Sequence, residues 1–515
     1  MLRSFLPFLW GFVFIANAAF SQQEFSLIGL RVRNPKDAIG TSDTFGNIAY
    51  IFEGHKQYQI TLLSDKGVEL NNFIANRPQA SKKESLIGAA LRDSLYVAYF
   101  YSKKYDTFSS LVVNLYTGVY TFQDIHNMNA NDEFLRAFSM NGSFYILTVP
   151  KQKNILNIYV CGDGKKVDAG SYPIEMTTFY ATLSSNNNNL NEAAESQVGI
   201  ETVRSRLDNN IKSAYPKKKL YFQDNKIYLS FDEPNSTHLV IIDVYASKSF
   251  YKKLNFSLEQ GNNSSEKRGN SFLYENKLFR ATVSPEMLNI SIIDLDSIRL
   301  INSYNIYPDI DITIANGPIK QESGMNTIIT DEKVLHKTSQ YFKRVLNGNL
   351  SIAANRSDSG RVVVEVGSYE EIITRSGGGF GTPGLSFGMG MGMGMGMGSV
   401  GFGNPYGFGN VFNPGFNGGP GSNYPFYNSG NGNMRLRFVS FKSLFSEPTY
   451  HHLEGKVPKM LHEKINDYLS NRFVHHTPEL SIITPYREQK LLMGYYMKNV
   501  NKFEIIAFDK ISNFP

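Results

Sequence analysis

The stretch 217–256 reads KKKLYFQDNKIYLSFDEPNSTHLVIIDVYASKSFYKKLNF, and its pattern decides the fold. Four short runs rich in β-branched and aromatic residues stand out, at 220–222, 226–231, 237–244 and 249–256. Polar turn residues part them: Gln223, Asp224 and Asn225 after the first run, Pro234, Asn235 and Ser236 after the second. Runs of this length between such breakers read as hairpin-linked strands. Lys217, Lys218 and Lys219 form the densest basic run of the chain, read here as a solvated entrance to the first strand.

The same unit recurs. Aligned on its second and third strands, the copies are Asn47 to Tyr50 with Tyr58 to Leu63, Ser94 to Tyr99 with Leu111 to Asn114, and Ser143 to Leu147 with Leu156 to Val160. After the stretch above come Lys277 to Ala281 with Leu288 to Asp294, Asn349 to Ala353 with Arg361 to Val366, and Lys490 to Tyr496 with Phe503 to Asp509. Most copies open on a tight turn: Gly46-Asn47, Arg92-Asp93, Asn141-Gly142, Asp224-Asn225, Glu275-Asn276 or Asn347-Gly348. These residues tolerate the positive φ that two-residue hairpins require. Uninterrupted copies lie roughly 46 to 51 residues apart, and four strands at such a period are the sequence sign of a β-propeller with one blade per copy. Residues Val112 to Gly118 look like the strand-then-turn ending that many blades carry, so the chain resembles β-propellers generally. No Trp-Asp dipeptide or kelch double glycine points to a subfamily.

The expected fold is therefore all-β, a seven-bladed propeller over residues 22–515. The seventh copy ends after three strands, while Glu24 to Val32 stands unpaired at the other end; this N-terminal strand is expected to complete the last blade. Three insertions interrupt the repeat. In 184–212, Leu190, Ala194, Val198, Val203, Leu207 and Ile211 approach a 3.6-residue period and predict one amphipathic helix. In 447–478, Val457, Leu461, Ile465, Leu469 and Phe473 do the same, with Pro458 suited to a first helical turn. The tract 377–433, rich in Gly, Met, Phe and Asn, is expected to be a disordered loop between two strands of the sixth blade.

Residues 1–21 read as a cleaved secretory signal: Arg3, an apolar run from Phe5 to Ala16, then the small-x-small pattern Ala16-Asn17-Ala18. The run is short for a membrane span, and nothing else is long and apolar enough, so the mature chain is expected to have none. With one cysteine, Cys161, an internal disulfide is excluded; its place in Ile158-Tyr-Val-Cys161 marks a small buried hydrophobe. A formal charge of +6 over 515 residues carries no nucleic-acid signature. The N-terminus and the Asn-rich style resemble secreted proteins of Gram-negative gliding-type bacteria, which implies a secreted or periplasmic protein, with outer-membrane association as a further option.

Five of the nine histidines fall in one window, His451, His452, His462, His475 and His476, and are the candidate metal ligands. His462-Glu463 opens like a zinc-protease helix, but Asn466 stands where the second histidine should be. Adjacent histidines on a strand face opposite ways, which favours solvated or turn histidines over a metal site. The methionines alternating from Met389 to Met397 are soft ligands in principle, yet a low-complexity expansion explains them without one. Gly162-Asp-Gly-Lys165 reads as a hairpin turn. Asp309 and Asp311 are expected to share one strand face, without the further ligands of a calcium loop. Asp243, Asp294 and Asp509 recur after a strand in their copies, as turn caps do. No catalytic set and no cofactor motif follows from spacing. The expectation is a non-catalytic module that binds or scaffolds a protein or glycan at the cell envelope. The alternatives are an enzyme acting on polysaccharide or peptidoglycan at the channel mouth, and an assembly protein self-associating through its Gly-rich loop.

Overall fold

The computed structural model describes residues 22–78, 84–102, 105–125, 131–140, 142–184, 200–203, 208–223, 225–256, 267–325, 328–357, 361–373, 434–472, 478, 480–486 and 490–509. Within them, thirty strands form seven sheets of four or five strands. Blade one spans 37–76, blade two 85–125, blade three 132–173, blade four 201–255, blade five 268–306 and blade six 319–446. Blade seven joins 481–509 to the N-terminal strand Gln22–Gly29. The chain is a seven-bladed β-propeller. Its clasp is antiparallel, with Gln22 opposite Phe508 and Gly29 opposite Lys502, as the unpaired N-terminal strand predicts.

Middle strands of a blade are covered on both faces by the neighbouring blades, so they read as continuous apolar runs. Ile48–Glu53 is buried at every residue. The outer strand Lys248–Asn255, with one face and one edge in water, carries three lysines instead. Asp93, Asn225 and Glu275 take the positive φ expected of them, at 51°, 62° and 51°. Asn347-Gly348 does not: Gly348 is extended and ends a helix.

The insertion before blade four is not one amphipathic helix. It holds helix α1, Phe179–Ser184, a strand Glu201–Val203 and helix α2, Ile211–Ala214. Val203, placed on the helical face by its spacing, is a strand residue, because Glu201–Val203 pairs in parallel with the free edge of Lys218–Gln223. Leu190, Ala194, Val198 and Leu207 lie outside the described residues. The segment continues along the axial side of the ring. Arg136 Nε of blade three donates to the Ile200 carbonyl at 2.8 Å. Asn270 of blade five reaches the Tyr215 carbonyl at 2.9 Å, and Ser351 of blade six reaches that of Ile211 at 2.6 Å. The chain's own segment thus lies across the inner strands of blades three to six.

Blade six is entered from its outer edge. Asn349–Arg356 is its first strand, Arg361–Ile373 its second and Met434–Ser446 its third. The fourth and fifth, Ile319–Met325 and Ile328–Leu335, come earlier in the chain. The sixth copy, aligned as second and third strands, is therefore one strand out of phase. Helix α3, Thr338–Asn347, brings the chain back to the inner edge and buries Tyr341, Phe342 and Val345. Ile373 lies opposite Met434, so the two ends of the Gly-rich tract are neighbours, as expected; the tract itself lies outside the described residues.

The insertion after blade six forms helix α4, Leu461–Arg472. Leu461, Ile465 and Leu469 are buried against Ile483, Leu491, Tyr495 and Phe508 of blade seven. Pro458 precedes the helix and opens no turn of it. Val457 packs with Met460 against Val363 and Leu444 of blade six, and Phe473 is outside the described residues.

Candidate functional site

In an antiparallel meander, the turns after the first and third strands fall at one end of the blade. That end is where apolar side chains reach solvent. Phe45, Val68, Tyr116, Val119, Tyr245 and Ile298 sit in these turns in blades one, two, four and five. Leu70, Phe250 and Leu300 begin the outer strands that follow. Nine of the fourteen large exposed hydrophobics among the described residues thus gather on one face, with Tyr116 at 77% and Tyr245 at 80% exposure. A monomer with nothing to bind seldom concentrates apolar surface this way.

The opposite end holds the polar turn of blade four. Ser236 Oγ donates to Glu233 Oε2 at 2.7 Å, and His238 Nε2 lies 3.3 Å from the same oxygen. His238 Nδ1 is 2.6 Å from the Tyr251 hydroxyl. The Ser236 hydrogen bond, helped by His238 and opposed by burial, holds the Glu233 carboxyl below its usual range. A serine, a histidine and a carboxylate in contact suggest nucleophilic chemistry. Ser236 is only 3% exposed, so a substrate carbonyl has no approach, and the contacts secure the turn. The spacing 233, 236 and 238 was the available signal.

Beneath that turn lies a sealed charge cluster. Asp232 accepts from Lys219 Nζ at 2.8 Å, Arg280 Nη1 at 2.9 Å, Thr237 Oγ1 at 2.8 Å and the Ser271 N–H at 2.9 Å. Arg280 Nη2 donates to the carbonyls of Glu233 and Pro234, and its guanidinium lies over the Phe256 ring. Gly269 leaves the space this guanidinium occupies, since a Cβ there would overlap Nη2. Burial pushes the carboxyl up, but the two cations outweigh it and hold Asp232 below the usual carboxylate range. The basic run at 217–219 is therefore no solvated entrance. Lys219 is fully buried on Asp232, and Lys218 donates to the Leu183 carbonyl at 3.2 Å.

The histidines do not converge. His451 is exposed beside Asn302, and His452 Nε2 contacts Asn316 Oδ1 at 3.0 Å. Burial holds His452 below its usual pKa. His462 is buried on α4, with no partner for Nδ1. His475, His476 and the Met-Gly run lie outside the described residues. Among the described residues no three His, Cys, Asp or Glu side chains form a metal cluster. Cys161 is buried, and burial pushes its thiol up to about 12, which suits packing and not attack. Asp309 and Asp311 lie in the connection after blade five, not on a strand face. Asp243 caps its turn at the Ala246 N–H, 2.8 Å, and Asp294 does so at the Ser297 N–H, 2.7 Å. Asp509 instead pairs with Lys490 at 3.5 Å.

No family model matches the chain, and no curated protein does. Among solved structures it is similar to a protein from Lactobacillus plantarum, at 9% identity over 66% of this chain and 82% of that one, with a TM-score of 0.27. It is similar to the Dos1 propeller at 10% identity, over 67% and 84%, with a TM-score of 0.27. The dihydro-heme d1 dehydrogenase NirN, in complex with DHE, is similar at 9% identity, over 67% and 73%, again at 0.27.

Proposed function

We propose that this protein is a secreted, non-catalytic propeller that holds a protein partner at the cell envelope through the apolar turn face. The observation that carries the reading is the gathering of exposed Phe45, Val68, Tyr116, Val119, Tyr245 and Ile298 at one end of four blades. Aliphatic side chains stand beside aromatic ones there. Protein interfaces use both, whereas a glycan is gripped by ring faces and hydrogen bonds, to which Val68 and Val119 add little. The axial side of blades three to six carries the chain's own segment, which argues against the channel as the working site.

The test is site-specific cross-linking in cells, with a photoreactive phenylalanine at Tyr116 or Tyr245 and a control at Tyr105, in a turn at the opposite end. One shared product from 116 and 245, missing from 105, supports the reading. A product of twice the chain mass moves the surface to self-association. No product from either position overturns it. Secretion has its own test. Trp10 is the only tryptophan, so processed protein should emit as tyrosine alone; a tryptophan band means that residues 1–21 are retained.

A further inference from the structure

Neighbouring blades of this ring are joined by apolar cores. Among the described residues, six of the seven joints have a cluster of buried apolar side chains to which both blades contribute. Rings meet across several of them: Tyr99 and Phe144 at 4.0 Å between blades two and three, Tyr221 and Phe272 at 5.9 Å between four and five, Phe52 and Phe503 at 4.9 Å between one and seven. Among the same residues no such cluster spans blades six and seven. On one side Ile465 and Leu469 of α4 cover blade seven; on the other, Ile211 of α2 and Met460, the residue before α4, cover blade six.

What crosses this joint is polar and gathers at the first turn of α4. Glu463 pairs with Lys442 of blade six at 2.7 Å, and the Leu461 N–H donates to Asp208 at 2.5 Å. Asp208 belongs to the blade-six side, since the next residue, Asn209, exchanges two hydrogen bonds with Asn355 of the inner strand, at 2.6 and 2.7 Å. Lys459 also pairs with Asp467 of α4, but both are exposed and hold little. The far end of α4 turns to blade seven, where Arg472 donates to Glu504 at 2.7 Å. Two buried polar atoms here lack a partner: His462 Nδ1, in the same first turn, and Glu365 Oε2, opposite Lys442 on blade six. Such groups carry a desolvation cost that contact with water removes.

We propose that the ring opens at this joint, with α4 staying on blade seven and the segment 208–215 staying on blade six. Apolar burial supplies most of what holds packed surfaces together, so a joint without a shared core has the lowest opening free energy of the seven. Met460 is the pivot. Its side chain packs on Val363 and Leu444 of blade six, while its carbonyl accepts from the Glu463 and Lys464 N–H groups of α4 at 3.0 and 3.1 Å. Opening breaks the Lys442–Glu463 pair and the Leu461–Asp208 hydrogen bond, and it brings water to His462 and Glu365. The apolar cores on either side stay whole, and so does the clasp of Gln22–Gly29. The ring therefore parts one joint away from the blade in which its chain ends meet.

The experiment is native-state thiol labelling of the full-length protein without denaturant, read peptide by peptide. Cys161, buried in the core shared by blades two and three, is the internal reference for an ordinary joint. The thiol of His462→Cys should label faster than Cys161 by about tenfold or more, whereas that of Ile465→Cys, packed on blade seven, should label as slowly as Cys161. Lys442→Met removes one hold, so adding it to His462→Cys should speed labelling at 462 by a further factor of about ten and leave Cys161 unchanged. Labelling at 462 no faster than at Cys161 would sink the proposal. Equal, fast labelling at 462 and 465 would mean that α4 leaves blade seven, which overturns it as well. A check that needs no cysteine at 462 is hydrogen exchange of the Leu461 amide, whose acceptor lies across the joint. Lys442→Met alone should speed that exchange and leave the strand Ser143–Pro150 as it is; an unchanged Leu461 amide would count against the opening.

Discussion

Between blades four and five a buried carboxylate is over-supplied with donors, whereas between blades six and seven buried carboxyls outnumber them. Asp232 takes four hydrogen bonds, and the spare donors of Arg280 end on the carbonyls of Glu233 and Pro234. At the other, beside α4, Glu365 Oε2 is unpartnered, and burial and the neighbouring carboxylates push Glu322 up against the pull of Lys320. A low-dielectric joint whose buried charges are all hydrogen-bonded acts as a rivet. One with a charge in excess stores a dependence on pH. The comparison shows that two joints of one ring, each built on carboxylates and cations, differ in which of the two is in excess.

The largest effect is expected at the matched joint. Asp232→Ala leaves Lys219 and Arg280 buried without a counter-charge and should cost about 3–5 kcal/mol in denaturant unfolding. Its pKa is depressed in the folded chain, so the stability it contributes is present above the unfolded value and is lost as the pH falls through the folded one. A cost near zero at neutral pH would mean that the cluster is idle.

At the unmatched joint the sign reverses. Glu322 is raised from 4.5 to about 7, so its favourable contribution is complete below 4.5 and disappears as the pH climbs to about 7. Glu322→Gln should therefore melt with wild type at pH 4 and above it at pH 8. The gap should open between those values and stay constant beyond. A variant less stable at pH 8 would show that the carboxylate is needed there.

The smallest effect concerns the tract between the middle strands of blade six. Replacing 377–433 with a short Asn-Gly turn should change stability by about 2 kcal/mol at most, because loop closure varies only as the logarithm of length. Ile373 and Met434 already lie opposite each other, so the pairing of these two strands needs no help. A deletion that melts well below the parent would assign the tract a packed role. One that folds but loses self-association would promote the assembly reading.

The ring was legible in the sequence because both signals of a blade are local. Apolar runs such as 226–231 and turn residues such as Asn225 and Glu275 lie within a few positions of each other. The burial of Lys219 was not legible. Its neighbours show only a basic run, and the residues that make the site tenable, Asp232 and Arg280, come from later strands, one of them in the next blade. Blade six was misphased for a related reason, since its outer strands arrive first and no local pattern announces that order. Helix α3 carried a readable signal in Thr338, Tyr341, Phe342 and Val345 at 3–4-residue spacing, masked by the strand-like run that follows it. The carboxyls beside α4 were not legible because Glu322 and Glu365 are remote in sequence and share a face only through strand register, while Glu463 joins them from the helix through Lys442.

The pairing of Gln22–Gly29 with Lys502–Asp509 also sets an order of events. A chain made from its N-terminus holds the strand Gln22–Gly29 ready while six blades take shape, and it finds its mate only when Lys502–Asp509 has been delivered. Until then blade seven has no outer strand and the nascent chain carries an open hydrogen-bonding edge, the condition in which β proteins aggregate. Closure of the ring thus waits for the strand Lys502–Asp509. A chain cut short by even its last strand is left with a beginning that has nothing to pair with.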